Sequence, residues 1–113
     1  MKSLDCIFCK IVAGQVPTTI IKETDDLIVI KDRAPKAPIH YLIIPKNHVE
    51  NIQAASSEDL AIGASIFLMA KKLSSELSEN QDFKLVMNNG FKAGQRVFHM
   101  HVHFLAGADD MPE

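Results

Sequence analysis

Three histidines alternate with apolar residues in His99-Met100-His101-Val102-His103, and that period of two constrains the fold more than any other feature of the chain. In an extended strand, successive side chains point to opposite faces, so residues i, i+2 and i+4 share one side. The spacing predicts a strand over Val97 to Leu105 with the imidazoles in a row, each about 6–7 Å from the next. Met100, Val102 and Phe104 then face the other way, into a core.

Other strands are predicted at Ile20 to Glu23, Leu27 to Lys31, Ile39 to Ile44 and Phe83 to Asn88. Thr24-Asp25-Asp26 reads as a turn, and Ala34-Pro35-Lys36-Ala37-Pro38 as an irregular loop, because proline fixes the backbone and removes donors. Asn89 to Gly94 reads as a glycine-containing loop. A short helix is expected over Ile7 to Ala13, closed by Gly14. A long one begins near Ser56, where Ser56-Ser57-Glu58-Asp59 supplies a cap and a capping-box acid. Ile62, Ile66, Met69, Leu73 and Leu77 recur at helical spacing along it, and it fades at Ser78-Glu79-Asn80. Hairpin-spaced strands with one long and one short helix point to an α+β fold with a mostly antiparallel five-stranded sheet.

A chain of 113 residues suits one domain spanning 1–113, and a domain this small gains from self-association. The net charge of −2 and the lack of a basic run give no signal for nucleic acid or an anionic membrane as partner. Met1 to Cys6 carries no signal-peptide stretch, and the apolar run from Leu60 to Ala70 is too short to span a bilayer, so a cytoplasmic protein is expected.

The histidine row admits three chemistries. A solvated strand face fits poorly with its sustained alternation with large apolar residues. A zinc site is the second, since catalytic zinc often takes three histidines. The third is an imidazole nucleophile flanked by imidazoles that donate hydrogen bonds, a role suited to a group titrating near neutrality. The triplet alone does not separate the last two. Gly94-Gln95-Arg96 before it, and Asn88, offer donors for an anion, while the nearest acids downstream, Asp109 and Asp110, lie beyond the strand; the balance favours phosphate handling by histidine. Cys6 and Cys9 form a Cys-x-x-Cys pair with no strand before it, which argues against a thioredoxin-type redox role and leaves metal binding or core packing.

The string Gly94-Gln95-Arg96-Val97-Phe98-His99-Met100-His101-Val102-His103-Phe104-Leu105 resembles the signature of the histidine triad (HIT) family. So do Cys6-Ile7-Phe8-Cys9-Lys10-Ile11, Asp32 to His40, and Ile43-Ile44-Pro45-Lys46-Asn47-His48, in order along almost the whole chain. The likeness is to the Hint branch, the purine nucleoside phosphoramidases. It implies a two-fold homodimer whose sheets join across the interface. It implies that His101 attacks the α-phosphorus to form a nucleotidyl-histidine that water hydrolyses, with no metal required. His103 would donate to phosphate oxygens, His99 would fix the tautomer of His101 through its carbonyl, and His40 would support the network. Asn88 and Gln95 match phosphate-side positions; Phe8, Ile11, Ile30, Asp32 and Arg33 match the nucleoside pocket, with Asp32 on the ribose hydroxyls. Cys6, Cys9, His48 and His99 match a structural zinc site of some bacterial members. The chain departs from the branch at Arg96, where a serine is usual, and in stopping at Met111-Pro112-Glu113. A dinucleoside polyphosphate hydrolase, or a nucleotide-binding regulatory module with vestigial catalysis, are the alternative functions.

Overall fold

The computed structural model describes residues 5–78 and 80–112; the readings made on Met1 to Leu4, Glu79 and Glu113 lie outside them. The described elements are α1 (Ile7–Val12), β1 (Ile20–Glu23), β2 (Leu27–Lys31), β3 (Ile39–Pro45), α2 (Ser57–Leu60), α3 (Gly63–Ser75), β4 (Phe83–Val86) and β5 (Val102–Ala106), with a 3₁₀ turn at Phe91–Ala93. The strands form one five-stranded sheet in the order β1-β2-β3-β5-β4, antiparallel at every junction.

Both faces of the sheet are covered, and the alternation of each strand decides which residue goes where. Leu27 and Val29 of β2, Ile43 of β3, and Val102, Phe104 and Ala106 of β5 pack with Ile66, Met69, Ala70 and Leu73 of α3. Ile28, Ile30, Leu42 and Ile44 point the other way and pack with Phe8, Cys9 and Ile11 of α1. Four consecutive residues of β2, Leu27 to Ile30, are therefore buried, which explains why that strand reads as a continuous apolar run. Phe104 is fully buried and stacks between Tyr41 and Phe83, with centroid distances of 6.1 and 4.9 Å.

The turn between β1 and β2 is built by Thr24, whose Oγ1 accepts from the amides of Asp26 and Leu27. Helix α1 ends as its sequence predicts: Gly14, at φ +76°, takes the left-handed position that a side chain would strain. The capping box at Ser56 and Asp59 is formed in both directions.

Three boundaries differ from expectation. The long helix is split ahead of Gly63, a poor helix former: the Ala61 amide is shared between the carbonyls of Ser57 and Glu58, and the Ile62 amide tightens to an i→i−3 bond with Asp59; the apolar stripe continues across the break. Strand β4 stops at Val86, before Asn88, whose Nδ2 donates to the carbonyl of Ala93 and holds the following loop. Gly94 in that loop sits at φ +98°, and a Cβ there would lie 3.2 Å from Asn88 Nδ2.

The largest correction concerns the histidine strand. The β3–β5 ladder runs only from Ile39↔Ala106 to Ile43↔Val102, so residues 97–101 are not strand. Pro45 explains the end of the ladder. It has no N–H to give, and its carbonyl accepts instead from His99 Nε2 at 2.7 Å. Met100 N–H turns away to the carbonyl of Val49. The alternation of faces nevertheless persists: Phe8 of α1 meets the rings of both His99 and His101 edge-on.

Because Phe104 bridges α3's face of the sheet to two other rings, Phe104→Ala should lower the unfolding free energy by about 3–5 kcal/mol. Urea denaturation measures this directly, and a loss below about 1 kcal/mol would mean that the packing described is not what holds β5 in place.

Candidate active site

Register decides which histidines meet. His40 on β3 pairs with Leu105, and His103 lies two residues back along β5, so the two are diagonal neighbours on the α1 face. Their rings touch, with His40 Nε2 2.9 Å from His103 Nδ1. His103 in turn packs edge-on against His101, at a centroid distance of 5.3 Å. His40, His99 and His101 are buried and His103 is half-buried.

The backbone fixes where each proton sits. A carbonyl oxygen can only accept, so His101 Nδ1, 2.7 Å from the carbonyl of His99, must carry the proton; the neutral ring then has its lone pair on Nε2. At His40 the logic inverts. Its Nδ1 accepts from the Lys36 amide at 3.1 Å, so its one proton is on Nε2 and is donated to His103 Nδ1. His103, accepting at Nδ1, carries its own proton on Nε2. Neighbouring rings thus hold opposite states: a nucleophilic Nε2 on His101 and a donor Nε2–H on His103.

Asp32 stands beside this chain. Its Oδ1 accepts from the Ala34 amide at 2.8 Å and its Oδ2 lies 3.4 Å from His40 Nε2. It also lines a cavity of about 250 Å³ with Phe8, Ile11, Ile30 and Arg33, walled further by Leu42 and Val97. The residues matched to a nucleoside pocket in the sequence are thus gathered around one mostly apolar hollow. This cavity is lined by no histidine itself but adjoins them through Asp32, whereas three larger hollows, of about 320, 450 and 730 Å³, are lined by neither the histidines nor Asp32.

The phosphate-side candidates are placed differently. Gln95 is buried, and its side chain is taken up by backbone: Oε1 accepts from Gly90, while Nε2 donates to Glu50 and Val97. Asn88 is occupied with Ala93. Arg96 folds back over Phe91, 4.3 Å from the ring centroid, and donates to the carbonyls of Phe91 and Gln95. All three shape the loop that leads into the histidines. Sequence reasoning missed Lys36 and Pro45, which act through backbone groups that any residue carries; the proline was visible only as a strand end.

A second cluster lies one side chain away. Cys6 Sγ, Cys9 Sγ, His48 Nδ1 and His99 Nδ1 all fall within 4.8 Å of one another. The distances are 3.3 Å for Cys6–His99, 3.6 Å for Cys9–His99, 3.3 Å for Cys9–His48 and 3.2 Å for His48–His99. Tetrahedral zinc with ordinary Zn–S and Zn–N bonds needs ligand separations of about 3.3–3.8 Å, so the set fits. The Cys9 amide points at Cys6 Sγ, and the Pro45 carbonyl holds the proton of His99 on Nε2, leaving Nδ1 as its donor atom. Burial pushes the Cys6 thiol above its ordinary range.

A family model described as "Scavenger mRNA decapping enzyme C-term binding" matches residues 5–113. An uncharacterized HIT-like protein of Synechocystis is 42% identical over 103 residues, covering 91% of this chain and 90% of the relative. The chain belongs to the histidine triad family. A solved histidine triad protein from Clostridium difficile superposes with a TM-score of 0.92 at 35% identity, covering 100% of this chain and 98% of the other. A HIT family hydrolase from Legionella pneumophila gives 0.85 at 39%, covering 93% and 95%. A zinc-bound histidine triad family protein from Mycobacterium smegmatis gives 0.80 at 28%, covering 96% and 81%. The fold is that of HIT family hydrolases.

Burial holds the pKa of His99 down to about 4, helped by His48 and His101, while the Pro45 carbonyl pulls the other way. The unfolded chain protonates this residue near 6.5 and the folded chain resists until about 4. Stability of the metal-free protein should therefore fall as pH drops through that window, by at most about 1.4 kcal/mol per pH unit. Urea midpoints at several pH values, for wild type and His99→Gln, measure it: the variant should lose the slope, and an unchanged slope would assign the effect to other groups.

Proposed function

We propose that the protein is a purine nucleoside phosphoramidase of the Hint type. The observation that carries this reading is the pair of opposite tautomers, with the Nε2 lone pair on His101 beside the Nε2–H of His103. A nucleoside monophosphate with its base and sugar in the cavity at Phe8, Ile11, Ile30, Asp32 and Arg33 would reach the imidazole chain from the Asp32 side, where that carboxylate lies 3.4 Å from His40. His101 Nε2 attacks the α-phosphorus, the P–N bond to the leaving amine breaks, and the amine departs with a proton. Water then cleaves the His101–phosphorus bond and releases the nucleoside monophosphate. His103 donates to the phosphate oxygens as charge builds on them, and His40 and Lys36 hold it in the donating state. Proton donation is enough to expel an amine, so the chemistry at His101 calls for no metal.

The same reading gives Cys6, Cys9, His48 and His99 to a structural zinc ion. Four protein ligands close the coordination shell, and the ion's contribution is to tie α1 to the segment entering the histidines. The zinc-bound Mycobacterium smegmatis relative supports it. Reduced thiols suit the cytoplasm, and among the described residues no helix is long and apolar enough to cross a membrane.

We also assign a two-fold homodimer joined along β4. That strand is an edge of the sheet, and Phe67 and Phe83, 70% and 37% exposed, flank a groove between it and α3.

AMP release from adenosine 5′-phosphoramidate tests the activity, with EDTA present and in parallel with His101→Ala. Turnover should survive chelation and fall on the order of 10³-fold or more in the variant. Chelation should instead lower the melting temperature by roughly 10 °C, the effect of removing a tightly bound ligand from a domain of this size. Turnover lost on chelation well below the melting point would put the metal in the chemistry. No turnover at all would move the assignment to dinucleoside polyphosphates, and failing those to a binding module.

Phe67→Glu should convert the dimer to a monomer in sedimentation velocity. A wild-type monomer would remove the dimer proposal.

A further inference from the structure

Cys6 and Cys9 are the only cysteines of the chain, and both come from one turn of backbone. Cys6 is the N-cap of α1, in extended conformation, and Cys9 lies three residues on, inside the helix. The other members of the cluster, His48 and His99, arrive from distant segments. The two sulfurs lie within 4.8 Å of each other, and neither is in a disulfide. Closing that gap to an S–S bond of about 2.05 Å asks for a small movement, which rotation of the Cys6 side chain supplies, since an N-cap residue stands half outside its helix. Cys6 Sγ is restrained only by long contacts, 3.4 Å to the Cys9 amide and 3.3 Å to His99 Nδ1. The turn therefore has two mutually exclusive uses. With both sulfurs turned to His48 and His99 it completes a tetrahedral set; with the sulfurs joined, two imidazoles are left alone.

Burial separates the roles of the pair. Cys6 is 9% exposed and flanked by the exposed Asp5 and Ile7, whereas Cys9 is 3% exposed. A solute as small as hydrogen peroxide reaches Cys6 first, while a protein thiol, which needs an open sulfur, does not fit. This separates the site from thioredoxin-type exchange. The Cys6 sulfur attacks one peroxide oxygen, so an S–O bond forms, the O–O bond breaks and hydroxide leaves. The Cys9 sulfur then attacks that of Cys6; the S–S bond forms, the S–O bond breaks and a second hydroxide leaves. Each sulfur has given up one electron, the peroxide has taken two, and protons from the thiols or solvent turn both hydroxides into water.

Only Ile7 and Phe8 lie between the cysteines, and both line the cavity. Phe8 also meets the rings of His99 and His101 edge-on, at centroid distances of 5.8 and 5.0 Å. We propose that Cys6 and Cys9 form a reversible thiol–disulfide site for hydrogen peroxide, and that closing the disulfide expels the zinc ion and loosens Phe8 over His101 and the cavity. Linkage makes the coupling reciprocal: if zinc favours nucleotide binding, a bound nucleotide makes zinc harder to remove. The inference rests on the zinc reading of the four-ligand cluster.

The test treats the zinc-loaded protein with hydrogen peroxide and follows zinc release to a chromogenic chelator, free thiols, intact mass and the ring resonances of Phe8 and His101. One zinc ion should leave for each disulfide formed, and the mass of the denatured chain should fall by two hydrogens. Dithiothreitol with added zinc should restore the starting spectrum. Affinity for AMP should fall about tenfold in the disulfide form, and saturating AMP should raise zinc affinity by a comparable factor in chelator competition. Zinc and both thiols surviving a dose that fully oxidises a short dithiol peptide would make the cluster a closed structural site and overturn the proposal. Oxygen added to a cysteine without an S–S bond would overturn it as well, since that damage is not reversed by dithiothreitol. Zinc release with the Phe8 and His101 resonances unmoved would disconnect the cluster from the active site. AMP that binds neither form would remove the nucleoside reading, and the two sets of ring resonances then decide the coupling. A protein that takes up no zinc at all would remove the zinc reading and the switch together, whereas every other failure leaves the zinc site standing.

Discussion

The hydrogen bond from His99 Nε2 to the carbonyl of Pro45 is the contact on which the rest of the site depends. A buried carbonyl left without a donor costs about 1–3 kcal/mol, and at the end of β3 no strand partner supplies one. The imidazole fills that gap. In doing so it ends the β3–β5 ladder, turns the chain so that Met100 pairs with Val49, and commits the His99 ring to one tautomer.

Two functional clusters then share a single residue. The side chain of His99 faces Cys6, Cys9 and His48, and its backbone carbonyl receives the Nδ1–H of His101. Phe8 packs against both rings from α1, the helix that carries Cys9 and is N-capped by Cys6. The arrangement is rigid for an ordinary reason. Each polar atom of the cluster that is removed from water has a partner, and among the described residues no buried side-chain nitrogen or oxygen is left without one.

The sheet makes this possible by being covered on both faces. Helix α3 provides a continuous apolar backing for β2, β3 and β5, so the opposite face can carry polar residues at its far end without losing its support. Helix α1 packs on that face through Phe8, Cys9 and Ile11, and the cavity opens beside it, lined by Phe8 and Ile11 of the helix and by Asp32 and Arg33 beyond β2. A strand buried on one side by apolar residues tolerates histidines on the other because antiparallel register, not side-chain identity, holds it in place.

The amino-acid sequence by itself determined the element types, the α+β class and the grouping of imidazoles on one face, because all of these follow from local periodicity and turn chemistry. β1 and β2 lie where their β-branched runs and the Thr24 turn put them, and the stripe through Ile66, Met69 and Leu73 is buried as its spacing requires. The same local reasoning overextended the histidine strand, since nothing near His99 in the chain reveals that a carbonyl 54 residues away is waiting for its ring. At Gln95 and Arg96 the donor chemistry was legible in the sequence, but their partners on Glu50, Gly90 and Phe91 were not. Only the tertiary structure decided where each imidazole keeps its proton. A tautomer is set by whether a donor or an acceptor faces each ring nitrogen, and at His40, His99, His101 and His103 at least one of those facing groups is a backbone amide, a backbone carbonyl or another ring brought there by folding.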